Sequence, residues 1–229
     1  MGNREIMLKP VVYSPPKHNK LDILYQDNNL IALNKPSGLL SVPGRGEDKQ
    51  DCMLSRLQIE FPEALVIHRL DMPTSGIIMF ARNKEMQKVM GKLFEKKLIS
   101  KQYFAKVHGV LKETHGLINQ PLMTDWNNRP RQKIDYKQGK PSQTRFTLVS
   151  VIDGKNSIVK LEPITGRSHQ LRVHMSSLGH AILGDDLYGT LQTRNESSRL
   201  LLHAENINFI EPITNKHINI HCPVDFYDK

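Results

Sequence analysis

Apolar and polar residues alternate over several stretches of this chain, the period-two pattern of half-buried β-strands. Asp22-Ile23-Leu24-Tyr25 and Leu30-Ile31-Ala32-Leu33-Asn34-Lys35 read as two short strands joined by a polar turn at Asp27-Asn28-Asn29. Residues 101–109 put Tyr103, Ala105 and Val107 on one side of another strand. Residues 143–152 and 157–162 alternate about the turn Asp153-Gly154-Lys155-Asn156, and residues 200–209 and 217–221 read as closing strands. Elsewhere the apolar spacing is helical. Met53, Leu54, Leu57 and Phe61 predict a helix over 52–61 with Asp51 as its N-cap. Met86, Val89, Met90, Leu93, Phe94 and Leu98 predict a helix over 83–98, capped by Asn83, with Lys96 and Lys97 in the last turn where the helix dipole favours cations. Leu171, Met175 and Leu178 predict an inward-facing stripe on a helix capped by Ser168 and closed by Gly179. Strands outnumber helices, so the pattern reads as a strand-rich domain with a few helices and does not by itself give a topology.

Between the apolar segments Ala64-Leu65-Val66 and Ile77-Ile78-Met79-Phe80 lies the polar stretch Ile67-His68-Arg69-Leu70-Asp71-Met72-Pro73-Thr74-Ser75-Gly76. Pro73 and Gly76 make it a loop between two buried pieces. In an extended chain Arg69 and Asp71 point to one side. That arrangement reads either as a reaction centre on a rigid scaffold or as an ordinary solvated ion pair beside a turn.

Composition narrows the partners. The 229 residues carry 32 Lys and Arg against 23 Asp and Glu, a net charge of +9, which favours a polyanion such as nucleic acid or an anionic lipid surface. No apolar run approaches the roughly 18 residues a membrane helix needs. The first residues hold no apolar signal region, and Ile6 stands where a myristoylation motif wants Ser or Thr. Cys52 and Cys222 are too far apart for a CxxC site, and His169 and His174 do not share a helix face as a zinc pair would. Gly44-Arg45-Gly46 lacks the strand-to-helix setting of a dinucleotide fingerprint. No metal and no cofactor are expected, and the cytoplasm is the expected compartment. Residues 1–20, with Pro10, Pro15 and Pro16 and little periodicity, predict a loosely held arm, and 21–229 a single domain. Asp125-Trp126-Asn127-Asn128-Arg129-Pro130-Arg131-Gln132-Lys133 is basic and holds the only tryptophan. It suits RNA, with cations for phosphates and an aromatic for stacking, and reads equally as a solvated loop anchored by its Trp.

His68-Arg69-Leu70-Asp71 followed by Thr74-Ser75-Gly76 resembles the signature of the RluA family of pseudouridine synthases. Three further stretches resemble that family's motifs in the same order. They are the loop Lys35-Pro36-Ser37-Gly38-Leu39-Leu40-Ser41-Val42-Pro43-Gly44, the strand Lys101 to Gly109 with Tyr103 at its centre, and Gly166-Arg167-Ser168-His169-Gln170-Leu171-Arg172-Val173-His174 running on to Gly184-Asp185. Ala181 replaces the family's usual proline. The likeness covers nearly all of residues 21 to 226. The basic loop, together with Gly139-Lys140-Pro141, is similar to the branch that modifies both 23S rRNA and the tRNA anticodon loop.

The resemblance implies an α+β fold, a mixed, mainly antiparallel sheet flanked by helices and loops around a central catalytic cleft, in a monomer; the S4-type RNA-binding domain that some members carry is not expected, because residues 1–20 leave no room for one. It implies that RNA uridine is isomerised to pseudouridine, with Asp71 as nucleophile, Arg172 as the arginine that orients it, and Tyr103 against the target base. RNA contacts are expected at His68, Arg69, Arg129, Arg131, Lys133, Lys140, Arg167 and His169; His68 reads equally as a hydrogen-bonded structural residue. A single carboxylate suits isomerisation. Glycoside hydrolysis needs a second one to protonate the leaving group or activate water. The competing readings are the same chemistry on another rRNA or tRNA uridine, and a non-catalytic RNA-binding or ribosome-assembly factor on the same fold.

Overall fold

The alternating stretches do form strands, and more of them than the pattern announces. The computed structural model describes residues 13–17 and 20–227. Strands β1 (Ile23–Gln26) and β2 (Leu30–Lys35) lead into helix α1 (Met53–Glu60), then β3 (Leu65–Val66), β4 (Ser75–Ala81) and helix α2 (Lys84–Glu95). The chain continues through β5 (Ser100–His108), β6 (His115–Asn119), β7 (Leu122–Thr124), β8 (Gln132–Ile134), β9 (Gln143–Ile152) and β10 (Asn156–Pro163). Helices α3 (Gln170–Ser177) and α4 (Leu191–Asn195) precede the closing strands β11 (Leu202–Glu211) and β12 (Lys216–His221). The main sheet runs β1-β2-β4-β11-β5-β10-β9-β6, with β3 paired on β4 and β12 on β11, while β7 and β8 make a separate hairpin. Every pairing is antiparallel except β4 with β11, which meet only at His203↔Ser75 and Ala204↔Gly76. The fold is α+β with a mixed, mainly antiparallel sheet.

The period-two rule explains why β2 and β4 read as continuous apolar runs, since both faces of this half of the sheet are covered. Leu30, Ala32, Ile77, Met79 and Ala81 join Met86, Met90 and Leu93 of α2 in one core. Their neighbours Ile31, Leu33, Ile78 and Phe80 point the other way, against Met53 and Leu57 of α1. A third core lies in the other half of the sheet, where Ala105, Val107, Val159 and Leu161 meet Leu171 and Met175 of α3. Tyr103 packs at the edge of the second and third cores alike, so it stands at the seam between the two halves. The cleft opens along that seam.

Several expectations need correction. Helix α1 is capped by Cys52, not Asp51. The Cys52 thiol accepts from the Ser55 N–H and the Ser55 hydroxyl accepts from the Cys52 N–H, a closed capping box. Asp51 is drawn off instead to Arg56, which it holds through both oxygens at 2.7 and 2.8 Å. Helix α2 is capped by Asn83 as expected but stops at Glu95, because Lys97 turns into the left-handed region at φ 59°. The N-cap of α3 is His169, in a left-handed conformation, and Leu178 is exposed where an inward position was expected. Strands β6, β7 and β8 and helix α4 are too short for their periodicity to stand out. Of the expected arm, residues 1–12 and 18–19 lie outside the described residues. Residues 13–17 are fastened to the body: the Tyr13 hydroxyl donates to the Asp51 carbonyl and Arg56 donates to the Pro16 carbonyl.

Candidate active site

Asp71 sits in the turn just before β4, its carbonyl accepting from the Thr74 N–H at 3.1 Å. The loop over residues 35–44 is the frame on which that turn is built. Buried Lys35 donates to the carbonyls of Pro36, Leu39 and Met72 at 3.0, 2.7 and 3.0 Å. Ser41 donates its hydroxyl to the Leu70 carbonyl and accepts from the Leu70 N–H, and Ser37 donates to the Pro73 carbonyl. One motif thus holds the other in place. Burial pushes the Lys35 ammonium down to about 7, with Asp71 pulling the other way. Lys35→Met would leave three carbonyls around the vanished ammonium without their donor, at about 1 kcal/mol or more each. We expect a stability loss of roughly 3 kcal/mol, read as a lower urea midpoint with unchanged slope.

The opposite wall comes from α3. Arg172 is almost fully buried and gripped by Asp185 through two hydrogen bonds, at 2.8 Å from Nε and 2.6 Å from Nη2. Asp186 takes a third at 2.9 Å. Burial works against this guanidinium's charge, but the Asp185 hydrogen bonds and the surrounding carboxylates raise its pKa on balance. Its Nη1 stands 3.9 Å from Asp71 Oδ2. On the other side of the carboxylate, His169 Nε2 lies 4.0 Å from Asp71 Oδ1. Asp71, Tyr103, Arg172 and Leu202 line an inner recess of about 120 Å³. This recess opens into a groove of about 820 Å³ lined by Ser41, His68, Arg69, Lys101 and Arg167 among others. The Tyr103 phenol is driven up by burial and, secondarily, by Asp71, so it stays protonated. Lys101 is pushed down by burial.

The expected RNA contacts divide. Arg69 and Arg167 are exposed on the rim of the groove, and Arg129, Lys133 and Lys140 are exposed on or beside the β7–β8 hairpin. The Arg129 guanidinium covers the Trp126 ring at 4.6 Å, and that tryptophan is 65% exposed, so it does not anchor the loop to the body. The other contacts are committed to the protein. His68 Nε2 accepts from the Met79 N–H at 3.0 Å, its ring packs on Phe94, and burial, with Lys101 beside it, pushes its pKa to about 3. Arg131 donates to the Leu187 carbonyl, and His169 Nδ1 is 2.7 Å from the Tyr188 hydroxyl. Among the described residues no group of three or more His, Cys, Asp or Glu side chains is placed to hold a metal ion.

Sequence reasoning missed Lys35, Asp185, Asp186 and Tyr188 as parts of the site. Lys35 and Asp185 fall inside the stretches that resemble the family's motifs, but nothing local marks either as buried. Nothing local marks Tyr188.

Comparison with known proteins converges on one family. Residues 29–177 match the RNA pseudouridylate synthase family. The chain is 47% identical to the dual-specificity RNA pseudouridine synthase RluA of Vibrio cholerae over 94% of its own length and 87% of that protein. It is 46% identical to the protein of the same name in Escherichia coli, covering 93% of this chain and 98% of the other. Among solved structures, human RNA pseudouridylate synthase domain containing 1 superposes with a TM-score of 0.76 at 29% identity, over 92% of this chain and 86% of that one.

Proposed function

The chain belongs to the RNA pseudouridylate synthase family, and from that premise we propose that it modifies two RNA classes, one 23S rRNA uridine and one uridine of a tRNA anticodon loop, with Asp71 as its nucleophile. It is an RNA pseudouridine synthase, an isomerase that breaks the N1–C1′ bond of uridine and rejoins the ring through C5. The observation that carries the site assignment is the placement of Asp71 at the floor of the recess, 3.9 Å from a buried arginine already fixed by two other carboxylates. A uridine inside an RNA stem-loop must leave its stack to reach such a recess. The Asp71 carboxylate then stabilises or traps the carbon the base leaves. Arg172 holds the orientation of that carboxylate, and the protonated Tyr103 offers a ring face to the base and a hydroxyl that can donate. When C5 bonds to C1′, C5 loses its hydrogen and N1 gains one, so the reaction consumes no water.

Arg69, beside the nucleophile, holds the rearranged loop or fills the space the base vacates. Arg129, Lys133, Lys140 and Arg167 bind phosphates. If all four reach phosphates, the log of RNA affinity falls with log salt at a slope of roughly −3 to −4. A slope near zero in filter-binding titrations with a stem-loop would reject these assignments. The same reading makes residues 21–229 one catalytic domain working as a monomer in the cytoplasm, and among the described residues no helix is long and apolar enough to cross a membrane.

The test is pseudouridine mapping of rRNA and tRNA from cells lacking the protein. Loss of one site in each RNA, both restored by the wild-type gene, is the expected result. Loss in one RNA only would reject dual specificity and leave the chemistry standing.

A further inference from the structure

His169 is the least comfortable residue in the site. It begins α3 with φ 54°, a backbone conformation that a non-glycine residue adopts at a cost, and its side chain caps no N–H of the helix. In this conformation the imidazole lies between Asp71 and Tyr188, on the wall of the recess and of the groove.

The protons around this ring can be counted. The Tyr188 hydroxyl accepts from the backbone N–H of Gln132 at 2.7 Å. It has one proton to give, and His169 Nδ1, at 2.7 Å, is the acceptor it meets among the described residues. A ring nitrogen that accepts carries no hydrogen, so in the neutral imidazole the proton is on Nε2, the atom facing Asp71 Oδ1 at 4.0 Å. Burial pushes the ring toward the neutral form, Asp71 pulling the other way and Arg172 reinforcing burial.

We propose that His169 is a positioning residue for Asp71, held by Tyr188 in the Nε2–H tautomer so that it donates to one carboxylate oxygen while Arg172 holds the other. The gap of 4.0 Å closes as the recess fills, as catalytic hydrogen bonds often tighten only with substrate bound. A neutral donor steadies Oδ1 without a second full positive charge beside Arg172, so the carboxylate keeps its reactivity while losing its freedom to rotate.

Tyr188 also joins this donor to the basic hairpin. Gln132, on β8, supplies the N–H that fixes the hydroxyl, and the Arg131 guanidinium lies 5.9 Å over the Tyr188 ring. On the inner side, Asp185 accepts from the N–H groups of Leu187 and Tyr188 with the same carboxylate that clamps Arg172. Both groups that face Asp71 therefore share one footing, and the hairpin that carries Arg129 and Lys133 rests on it.

This inference rests on Asp71 as nucleophile, and its test separates the two. The tautomer is read from the ring nitrogen signals of the full-length protein labelled with ¹⁵N-histidine, with His169 assigned by the signals missing in His169→Gln. The expected wild-type spectrum has hydrogen on Nε2 and a bare Nδ1. Tyr188→Phe keeps the ring beside Arg172 and removes only the hydroxyl. It should blur the tautomer and lower kcat about tenfold, the worth of one hydrogen bond, with KM for RNA within about twofold. His169→Gln, whose amide can still donate, should retain more turnover than His169→Ala. A wild-type ring with hydrogen on Nδ1, a Tyr188→Phe enzyme as fast as wild type, or a loss confined to KM would each overturn the proposal. An Asp71→Ala enzyme that still turns over would reject the nucleophile, while the spectrum still reports the tautomer.

Discussion

Asp71→Ala is expected to yield a folded protein that binds its RNA and makes no pseudouridine. Folding should survive because Arg172, the buried cation nearest the lost carboxylate, keeps its hydrogen bonds to Asp185 and Asp186. Arg172 is thus not orphaned, the event that makes the loss of one partner of a buried pair so costly elsewhere, and buried Lys35, which loses the pull of Asp71, can shed its proton instead. Asp71 is itself partly exposed, and the turn it occupies is held by its backbone and by Lys35 and Ser41. The chemistry has no such reserve, since removing a nucleophile typically costs on the order of 10⁴-fold or more in turnover. Single-turnover pseudouridine formation, measured beside thermal unfolding and RNA binding, checks all three parts. Residual turnover within about tenfold of wild type would mean that Asp71 does not form or stabilise the key bond. Asp71→Asn should behave in the same way, because it keeps the shape and removes the charge.

Gly76→Ala is expected to do the reverse, destroying the fold where Asp71→Ala destroys only the reaction. Gly76 has φ 102°, and a Cβ there would lie 2.2 Å from the carbonyl oxygen and 2.7 Å from the nitrogen of Ala204. Both are backbone atoms of β11 at the parallel contact with β4, so no side chain can swing aside. Relief requires parting the strands at the seam of the sheet, and we expect a loss above about 3 kcal/mol, with little soluble native protein. Gly91→Ala is the natural control. Gly91 lies within α2, and nothing stands within 4 Å of the place an alanine methyl would take, so alanine should stabilise by about 0.5–1 kcal/mol. Urea midpoints of the two variants should move in opposite directions. A Gly76→Ala protein as stable as wild type would refute the close approach.

What the sequence made legible follows from how local each signal is. Strand β5 alternates because one of its faces is buried, and Tyr103, Ala105 and Val107 could be placed on that face before any fold was known. Strand β4, buried on both faces, announces a buried segment but says nothing of its neighbours. Its parallel contact with β11 joins residues more than a hundred positions apart, and no local pattern encodes it. Asp71, Tyr103 and Arg172 stood out only through their resemblance to family motifs. Their supports did not stand out, because Asp185 becomes a clamp only when the turn after it brings it back under α3. The Asp51 cap failed for a related reason: a carboxylate that suits an N-cap was claimed by Arg56, and a cysteine took its place.

The seam between β4 and β11 also governs when this enzyme can first work. Ser75, just beyond the Asp71 turn, shares a hydrogen bond with His203, 128 residues further along the chain, and Leu202 lines the recess itself. At typical synthesis rates of about 5–20 residues per second, that partner emerges on the order of ten seconds after the nucleophile does. Through that interval the growing chain already carries Asp71 and much of its basic surface, but the wall of the recess that Leu202 supplies has not been made. Long-range closure of this kind is slow to form, and it leaves the apolar strand β4 waiting with one edge incompletely paired, a stretch on which a chaperone would be expected to act.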